Sequence, residues 1–291
     1  MAAAPVIEVE GLTVTYDDFV AVRDLSFEVR PGELYALLGT NGAGKTSTLE
    51  VVEGHRRSAS GTVRIFGGSP LDRRAVRPRM GIMLQESGFS PDLTVRESVG
   101  LIGALSGRED DVDRLLGVAG LTRKADTQVA LLSGGEKRRL DFATAVFGGP
   151  DLVILDEPTT GLDIQSRDAL WTAVDRLRED GATVVLTTHY LEEAQQRADR
   201  IGLMHAGSLR REGTVAELTA TLPAVISFKL PPGAPEPPTV GTLNGAFHVE
   251  TFHLQEDLHR LLDWAHEKGV ELDRLEAGPT RLDDVFRALD D

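Results

Sequence analysis

The residues best suited to chemistry form a glycine-rich loop at 39–46, with the sequence GTNGAGKT, between an apolar segment at 34–38 and a helical pattern. Glycines let the backbone curl so that successive N–H groups point at phosphate oxygens, and a following helix adds its positive end. Lys45 supplies a point charge, and Thr46 supplies a hydroxyl of the kind that ligates magnesium. The alternative is a chance match in a glycine-rich turn. The flanking strand and helix favour a nucleoside triphosphate site.

Two adjacent carboxylates, Asp156 and Glu157, end the apolar segment at 152–155. A carboxylate beside a buried strand is costly unless a cation or a hydrogen bond compensates it, and magnesium is the expected cation. Asp156 would hold the ion through water, while Glu157 would deprotonate a water for in-line attack on the γ-phosphate. His189 ends another apolar segment, where it is either structural or placed to contact the γ-phosphate and position that water.

The segment 132–136, with the sequence LSGGE, precedes a helical pattern. Ser133 followed three residues later by Glu136 is a capping box, which would simply start that helix. The serine and the two glycines also expose a hydroxyl and N–H groups to an anion. The two interpretations are compatible, and the carboxylate pair that follows favours a functional role.

Three further positions carry polar or aromatic groups close to predicted strands. Gln85 follows the apolar segment at 81–84, at the carboxyl edge where ligands bind in open α/β sheets. Tyr16 closes an alternating segment, where it is either a core or rim aromatic or a platform for adenine. Asp163 is a turn residue in the simplest interpretation.

Composition restricts the class of protein. The 291 residues can form one large and one small domain, and 41% hydrophobic residues can fill a sizeable core. No apolar run approaches the about 18 residues that span a bilayer, and the N-terminus lacks a secretory pattern. The absence of cysteine excludes disulfides and thiolate metal sites. A net charge of -15 argues against a broad nucleic-acid-binding surface, so no nucleic acid partner is predicted.

An α/β framework is needed to bring the candidate residues together. Strand-like and helix-like segments alternate from about 6 to 217, which is typical of a largely parallel sheet. Strands are predicted at 7–16, 25–29, 34–38, 61–65, 79–84, 152–155, 183–187 and 200–205.

Two regions depart from that alternation. Between 88 and 147 the apolar residues recur at helical spacing, which predicts a helical subdomain within a main domain at 1–220. The residues 221–291 are predicted to form a small α+β domain, with an extended proline-rich loop at 231–238. Its other elements are predicted as strands at 225–230 and 247–252 and helices at 255–268 and 281–289.

The motifs and their order along the chain resemble those of the ATP-binding subunit of an ABC transporter. The matching segments are the Walker A loop at 39–46, the Q-loop at Gln85, the signature at 132–136, Walker B with its glutamate at 152–157, the D-loop at 161–163, the H-loop at His189 and the A-loop aromatic at Tyr16. The match extends from about residue 6 to 217.

The resemblance implies a P-loop NTPase fold of the ABC ATPase type, with a mostly parallel sheet, an antiparallel β subdomain, a helical subdomain and the small C-terminal domain. It implies ATP hydrolysis with Mg²⁺. The implied nucleotide contacts are Tyr16, Gly39, Asn41, Gly42, Ala43, Gly44, Lys45, Thr46, Ser47, Gln85, Ser133, Gly134, Gly135, Glu136 and Asp163. The implied metal ligands are Thr46, Gln85 and Asp156, and the implied catalytic residues are Lys45, Glu157 and His189.

The same resemblance implies two partners. Members of the family form head-to-tail dimers that sandwich ATP between Walker A of one copy and the signature of the other, so a second, identical copy is expected. A separate membrane permease completes the transporter and places the chain at the cytoplasmic face of a bacterial membrane. Glu136 departs from the commonest family residue, glutamine; it serves a capping box equally well but brings a charge near the sandwiched phosphates.

A narrower resemblance connects the segments 93–98, 138–141 and 282–286 with drug-resistance exporter ATPases of the daunorubicin and doxorubicin type. It implies export of a drug, an antibiotic or a lipid. For any transporter of this family, the permease is expected to dock on the surface at 85–99, where Phe89, Pro91 and Leu93 are candidate apolar contacts. The helix at the end of the chain either assists dimerisation or regulation, or only packs onto the small domain.

Two other functions are less consistent with this sequence. The alternative is a soluble ABC ATPase that acts on DNA or ribosomes, but such proteins usually carry coiled-coil insertions, zinc sites or tandem cassettes. A regulatory binder that does not hydrolyse ATP is disfavoured because Lys45, Asp156, Glu157 and His189 are all present.

Overall fold

The computed structural model of the protein describes residues 4–85, 88–220, 222–238, 242–243, 246–282 and 284–286. The chain divides into two units, Met1–Glu212 and Gly213–Asp291. Of the helix predicted at 281–289, residues 283 and 287–289 lie outside the described residues.

Strands and helices alternate along the first unit, as predicted for an α/β domain. The strands are β1 (Ile7–Tyr16), β2 (Phe19–Val29), β3 (Leu34–Gly39), β4 (Ser60–Ile65), β5 (Met80–Met83), β6 (Leu152–Asp156), β7 (Thr183–Thr188), β8 (Arg200–His205) and β9 (Ser208–Gly213). The helices are α1 (Lys45–Val52), α2 (Arg73–Val76), α3 (Val95–Ser106), α4 (Val112–Val118), α5 (Gly134–Ala145), α6 (Ile164–Glu179) and α7 (Leu191–Arg197).

The main sheet has the strand order β5-β6-β7-β3-β8-β9. The neighbours from β5 to β8 pair in parallel, with Met83 opposite Leu155 and Asp156 opposite Thr187. Strands β3, β6 and β7 are buried along their whole length, which is typical of a parallel sheet covered on both faces. Because the strands are parallel, their carboxyl ends lie at one edge of the sheet. The segments that follow β3, β5, β6 and β7 there carry most of the candidate residues.

A second, antiparallel sheet has the order β2-β1-β4. Alternate residues along much of β1 are buried, and they join Leu37 of β3 and Leu49 of α1 in one hydrophobic core. The hairpin between β1 and β2 sets Tyr16 opposite Phe19. This sheet therefore brings an aromatic pair to the end of its central strand.

Side-chain caps define where the helices of the region 88–147 begin. Thr94 and Ser133 form capping boxes with Glu97 and Glu136, and Asp111 caps α4. These caps satisfy backbone N–H groups that have no partner within the helix. The capping box predicted at the start of α5 is confirmed.

The second unit is a small α+β structure. It contains α8 (Val215–Thr219), β10 (Ala224–Lys229), β11 (Thr242–Leu243), β12 (Ala246–Thr251), α9 (Leu254–Lys268) and β13 (Asp273–Gly278). Its sheet has the order β11-β12-β10-β13 and is antiparallel. Ile226, Phe228, Val249 and Leu261 form its core. The proline-rich stretch 231–238 contains no helix or strand.

The prediction misses part of the strand content. Strand β2 begins at Phe19 rather than at 25, and it includes Asp24 with a φ of 48° where its pairing with β1 shifts register. Strands β9 and β13 are absent from the prediction because their sequences, SLRREG and DRLEAG, contain too few apolar residues to give a strand signal. Whether such a segment forms a strand depends on backbone pairing with a neighbouring strand.

None of the helices in the described residues combines the length and the apolar character that crossing a bilayer requires.

Candidate active site

The loop between β3 and α1 requires glycine for its shape. Gly42 and Gly44 have φ angles of 81° and 99°, which residues with a Cβ rarely adopt. A Cβ at Gly44 would also lie 2.7 Å from the carbonyl oxygen of Ala21. Gly44 is the N-cap residue of α1 and provides no side-chain cap. The first N–H groups of α1 are therefore available to an anion.

Lys45 is buried at the start of α1, and its ammonium group is held by the loop itself. Nζ donates to the carbonyl oxygens of Gly39 at 2.7 Å and Thr40 at 3.2 Å. Burial lowers the pKa of Lys45, whereas the carboxylates of Glu157 and Asp156 raise it. A cation placed in this way attracts an anionic group that enters the loop, such as a triphosphate.

Asp156 is buried at the end of β6, and its Oδ1 accepts a hydrogen bond from the Thr187 hydroxyl. Burial raises the pKa of the Asp156 carboxyl, and the Thr187 hydrogen bond is the largest opposing effect. Arg138 and Lys45 lower the same pKa by their charge. A buried carboxylate in this setting is suited to binding a cation.

Glu157 adopts a left-handed backbone conformation, with a φ of 48°. Its N–H donates to the carbonyl oxygen of Thr187 at 3.0 Å, which helps hold this strained geometry. Its Oε1 lies 3.3 Å from Nδ1 of His189, and its Oε2 accepts a hydrogen bond from the Thr160 hydroxyl at 3.4 Å. Backbone strain and side-chain contacts together fix the direction of this carboxylate.

One cleft of about 310 Å³ brings most of the predicted residues together. Its lining consists of Tyr16, Phe19, Ala21, Asn41, Gly42, Ala43, Gly44, Lys45, Thr46, Ser47, Gln85 and Glu157. The predicted residues in this lining come from the end of β1, the loop and start of α1, and the ends of β5 and β6. The parallel sheet order places the last two beside each other.

Tyr16 and Phe19 form an aromatic rim of the cleft, and they are 36% and 65% exposed. The Tyr16 hydroxyl donates to Oε2 of Glu50 at 3.0 Å and lies 3.2 Å from Oγ of Ser47. The guanidinium carbon of Arg56 lies 4.0 Å from the centre of the Tyr16 ring. Tyr16 is therefore a rim residue whose ring is fixed in place, with Phe19 as a second aromatic beside it.

The signature residues lie outside this cleft. Among the described residues, its lining contains none from 132–136, and it does not include Asp163 or His189 either. Ser133 and Gly134 are exposed at the surface. Asp163 caps α6 by accepting a hydrogen bond from the Ser166 N–H at 2.7 Å. Within one chain, the fold thus assembles only part of the predicted nucleotide contacts.

The carboxylate of Glu136, which departs from the family pattern, is matched by a cation of the same chain. Its Oε2 accepts a hydrogen bond from the Ser133 N–H at 2.9 Å, and its Oε1 lies 3.3 Å from Nζ of Lys124. The Ser133 hydrogen bond, with a smaller contribution from Lys124, lowers the pKa of Glu136. The negative charge expected beside the phosphates is therefore paired with Lys124.

Sequence reasoning misses three residues that the structure places at the site. Phe19 lines the cleft, and its signal is an aromatic across a short turn from Tyr16. Thr187 bonds Asp156 from the neighbouring strand, and a threonine at a strand end gives no signal by itself. Arg138 donates to the carbonyl oxygens of Gln85 and Glu157 and of the residue before each of them, whereas the sequence indicates for it only a place in the segment 138–141 after the signature.

Comparison with known proteins gives the same assignment as this geometry. Residues 22–160 match the family model described as ABC transporter, and residues 224–280 match the model described as ABC transporter domain-containing protein-like, C-terminal domain. The chain is 41% identical over 222 residues to Nod factor export ATP-binding protein I of Paraburkholderia xenovorans (strain LB400), covering 74% of this chain and 73% of that protein. The chain belongs to the ABC transporter family.

Solved structures confirm the predicted fold of this ABC ATPase. An ATP-binding subunit of an ABC transporter superposes with a TM-score of 0.70 at 27% identity, covering 74% of this chain and 92% of that one. The dimeric ATP-binding cassette MJ0796, bound to ADP and Pi after hydrolysis, superposes with a TM-score of 0.67 at 25% identity, covering 72% and 98%. This ABC ATPase accordingly binds ATP, requires Mg²⁺ and hydrolyses the nucleotide.

The oxygen donors of this ABC ATPase fit magnesium. No cluster of three or more His, Cys, Asp or Glu side chains in the described residues forms a metal site by itself. Mg²⁺ is usually held by one or two carboxylates together with substrate phosphates and water. Asp156 would supply the carboxylate, and Thr46 and Gln85 would supply neutral oxygens from the cleft. The bound ion would neutralise charge that develops on the phosphates.

Proposed function

We propose that this ABC ATPase drives export through a separate membrane permease. The observation that carries the proposal is a single cleft in which the phosphate-binding Lys45 and the carboxylate of Glu157 lie together, while the signature stays outside. The relative named for Nod factor export supports the direction of transport. None of the similar proteins described above is named for action on DNA or on ribosomes.

The phosphate loop, Glu157, its neighbour His189 and the aromatic rim have separate parts in the proposed reaction. The loop N–H groups and Lys45 bind the phosphates, which fixes the terminal phosphate for in-line attack. Glu157 takes the proton of the attacking water. His189, with Nδ1 at 3.3 Å from Glu157, orients this carboxylate and contacts the γ-phosphate. Tyr16, assisted by Phe19, stacks against the adenine ring.

Two identical copies complete each site in this proposal. Ser133, Gly134 and Gly135 of one copy contact the phosphates bound by Walker A of the other, together with Asp163 of the D-loop. The exposure of Ser133 and Gly134 outside the cleft of their own chain supports this arrangement. The similar cassette MJ0796 is itself dimeric. Closure of two copies around ATP would supply the motion that the permease uses.

The cargo and the surroundings follow from the narrower resemblance. The segments 93–98 and 138–141 support a drug, antibiotic or lipid exporter of the daunorubicin type. Phe89 and Leu93 are partly exposed and Pro91 is exposed, which suits contact with a permease. The chain then works at the cytoplasmic face of a bacterial membrane, attached through that permease.

The two proposed domains have different functions. Residues 1–220 form the nucleotide-binding domain, within which 88–147 is the helical subdomain that presents the signature. Residues 221–291 form an accessory domain, supported by the family match at 224–280. This domain is expected to assist dimerisation or regulation rather than hydrolysis.

Complementation between two inactive variants tests the shared site. One variant carries Lys45→Met and the other carries Ser133→Arg, and each is expected to be inactive alone. In a mixed dimer, the Ser133→Arg copy supplies an intact Lys45 and the Lys45→Met copy supplies an intact signature. When equal amounts of the two variants pair at random, about half of the dimers are mixed, and each mixed dimer has one intact site of two. The mixture should therefore recover roughly a quarter of the parent ATPase rate if the two sites act independently.

The control mixes the parent chain with a double variant that carries both substitutions. Every mixed dimer then lacks one essential element at each site, so mixed dimers should be inactive. Dimers of two parent copies stay active, so the control should keep about a quarter of the parent rate. If each chain instead hydrolyses ATP by itself, the two single variants show no recovery, and the control keeps about half of the parent rate. That second pair of results would contradict the shared site.

A further inference from the structure

Arg138 is a buried cation that the hydrolytic mechanism does not yet use. It lies in the first half of α5, five residues after the serine that caps this helix. The residue is 6% exposed. Burial lowers the pKa of its guanidinium, and the charges of Asp141, Asp156 and Glu157 oppose this effect. Burying a charged guanidinium is unfavourable unless hydrogen bonds compensate for the lost contact with water.

The guanidinium connects the ends of two neighbouring strands. One terminal nitrogen, Nη1, donates to the carbonyl oxygens of Leu84 and Gln85, directly after β5. The other, Nη2, donates to the carbonyl oxygens of Asp156 and Glu157, at the end of β6. The planar fork of an arginine presents its two terminal nitrogens in a fixed geometry, which suits two acceptor groups side by side.

These four carbonyl groups lie where the regular pairing of the two strands ends. The last pair of the β5–β6 ladder is Met83 with Leu155. Beyond it the chain leaves the sheet toward Gln85 on one side and Glu157 on the other. Glu157 has a strained φ of 48°, which persists only where surrounding contacts determine it. Thr187 holds its N–H, and Arg138 holds its carbonyl oxygen at 2.7 Å.

The same helix begins at the signature loop. Ser133 and Glu136 form the capping box of α5, and Ser133 is exposed. A helix moves nearly as a rigid rod over one or two turns. A displacement of its first turn, such as docking of a second copy would cause, therefore reaches the guanidinium of Arg138 directly.

We propose that Arg138 is a positioning residue that couples the signature loop to Gln85 and Glu157 by holding the carbonyl groups of both strand ends. The inference rests on the proposed function, because it assumes that a second copy contacts the signature. Arg138 is not among the residues that line the cleft, so it is assigned an indirect part in the reaction. It sets where the Glu157 carboxylate and the Gln85 amide stand when α5 is in its docked position.

Two substitutions test this role. Arg138→Met removes every donor while it keeps an aliphatic chain in the same space. Arg138→Lys keeps the charge but replaces the fork with one ammonium group, which can serve one strand end better than both. We expect ATP affinity within about three-fold of the parent for both variants. We expect kcat to fall by about 30-fold or more for Arg138→Met, and by less for Arg138→Lys.

A matched control is Arg108→Met. Arg108 is also partly buried, and burial also lowers its pKa, but it stands beside Gly148 and has no contact with the cleft among the described residues. If the loss of kcat in Arg138→Met only reflects weakened packing, Arg108→Met should lose kcat to a similar degree. Thermal unfolding of all variants identifies such weakening, and Arg138→Lys remains informative if Arg138→Met does not fold.

Amide hydrogen exchange supplies a readout independent of turnover. We expect Arg138→Met to speed exchange in peptides that cover 80–85 and 156–160, with no change in peptides from β3. In the Glu157→Gln background, ATP should slow exchange in both peptides, and Arg138→Met should abolish that response. Normal kcat in Arg138→Met, or unchanged ATP-dependent protection, would overturn the proposal.

The Glu157→Gln variant separates this inference from the proposed function. If Glu157→Gln turns over ATP normally, the assignment of the base is wrong, and the coupling through Arg138 falls with it. If Glu157→Gln is inactive while Arg138→Met has normal turnover and ATP response, only the inference about Arg138 is wrong.

Discussion

Replacing Glu157 by glutamine isolates the proton-accepting role of this residue. The amide has nearly the same size as the carboxylate, and its oxygen can still accept the hydrogen bond from Thr160. Both side chains carry a Cβ, so the strain at a φ of 48° is unchanged. The backbone bond to Thr187 is also retained. The substitution therefore removes the general base and the negative charge beside Nδ1 of His189, and it keeps the other contacts of this residue.

The expected decrease in kcat equals the contribution of the general base to the rate. A positioned general base contributes about 100- to 10,000-fold to the rate, which corresponds to about 3–5 kcal/mol of activation free energy. We expect kcat to fall by this factor. ATP affinity should stay within about two-fold, because the bonds of Lys45 to Gly39 and Thr40 do not involve Glu157.

Three measurements check this expectation. Phosphate release gives kcat, titration with a fluorescent nucleotide analogue gives affinity, and light scattering gives the oligomeric state with and without ATP. A dimer should accumulate in the presence of ATP because closure no longer leads to hydrolysis. Glu192→Gln, an exposed substitution in the first turn of α7, is the matched control and should behave as the parent does. Turnover within about five-fold of the parent would refute the assignment of the base.

Two further substitutions test the framework of the site. Gly44→Ala should lower thermal stability by about 1–3 kcal/mol and nucleotide affinity by about ten-fold or more, because its φ is 99° and a Cβ would meet the Ala21 carbonyl oxygen at 2.7 Å. Gly100→Ala, where a Cβ meets nothing within 4 Å, is the control and should not destabilise the protein. Glu53→Gln tests a pH dependence. Burial, aided by the charge of Asp156, raises the pKa of Glu53 from 4.5 to about 8. Between these two pH values the native state therefore keeps a proton on Glu53 that the unfolded state has released. Parent stability should fall as the pH rises through that window, and the gain in melting temperature from Glu53→Gln should be larger at pH about 8 than at pH about 5; an equal gain at both pH values would contradict the assignment.

Local sequence signals were sufficient wherever one segment defines its own conformation. The loop at 39–46 contains the glycines that its backbone requires, with Gly42 and Gly44 in the left-handed region. The capping box at Ser133 and Glu136 follows from two residues three positions apart. Strand β1 has the predicted bounds, 7–16, because its apolar residues alternate. Each of these features depends on neighbours in sequence.

Features that depend on distant backbone were not predictable in the same way. Strand β9 has the sequence SLRREG and lies at the end of the main sheet, where pairing rather than an apolar pattern makes it a strand. The contact of Thr187 with Asp156 joins residues 31 positions apart. The pairing of Lys124 with Glu136 offsets a charge that the sequence alone suggested would disturb the phosphates.

The sequence by itself determined the kind of chemistry, because a phosphate loop, a carboxylate pair and a signature are each short and are fixed by residue type and spacing. It also determined most of the framework, because apolar periodicity distinguishes the longer strands from helices. The tertiary structure alone decided which residues share a cleft and which remain outside it. Arg138 shows the physical reason. Its hydrogen bonds reach carbonyl groups up to 54 residues away in sequence, and every residue has a backbone carbonyl, so residue type does not identify which one is the acceptor. Only the order of the strands brings those groups to one guanidinium.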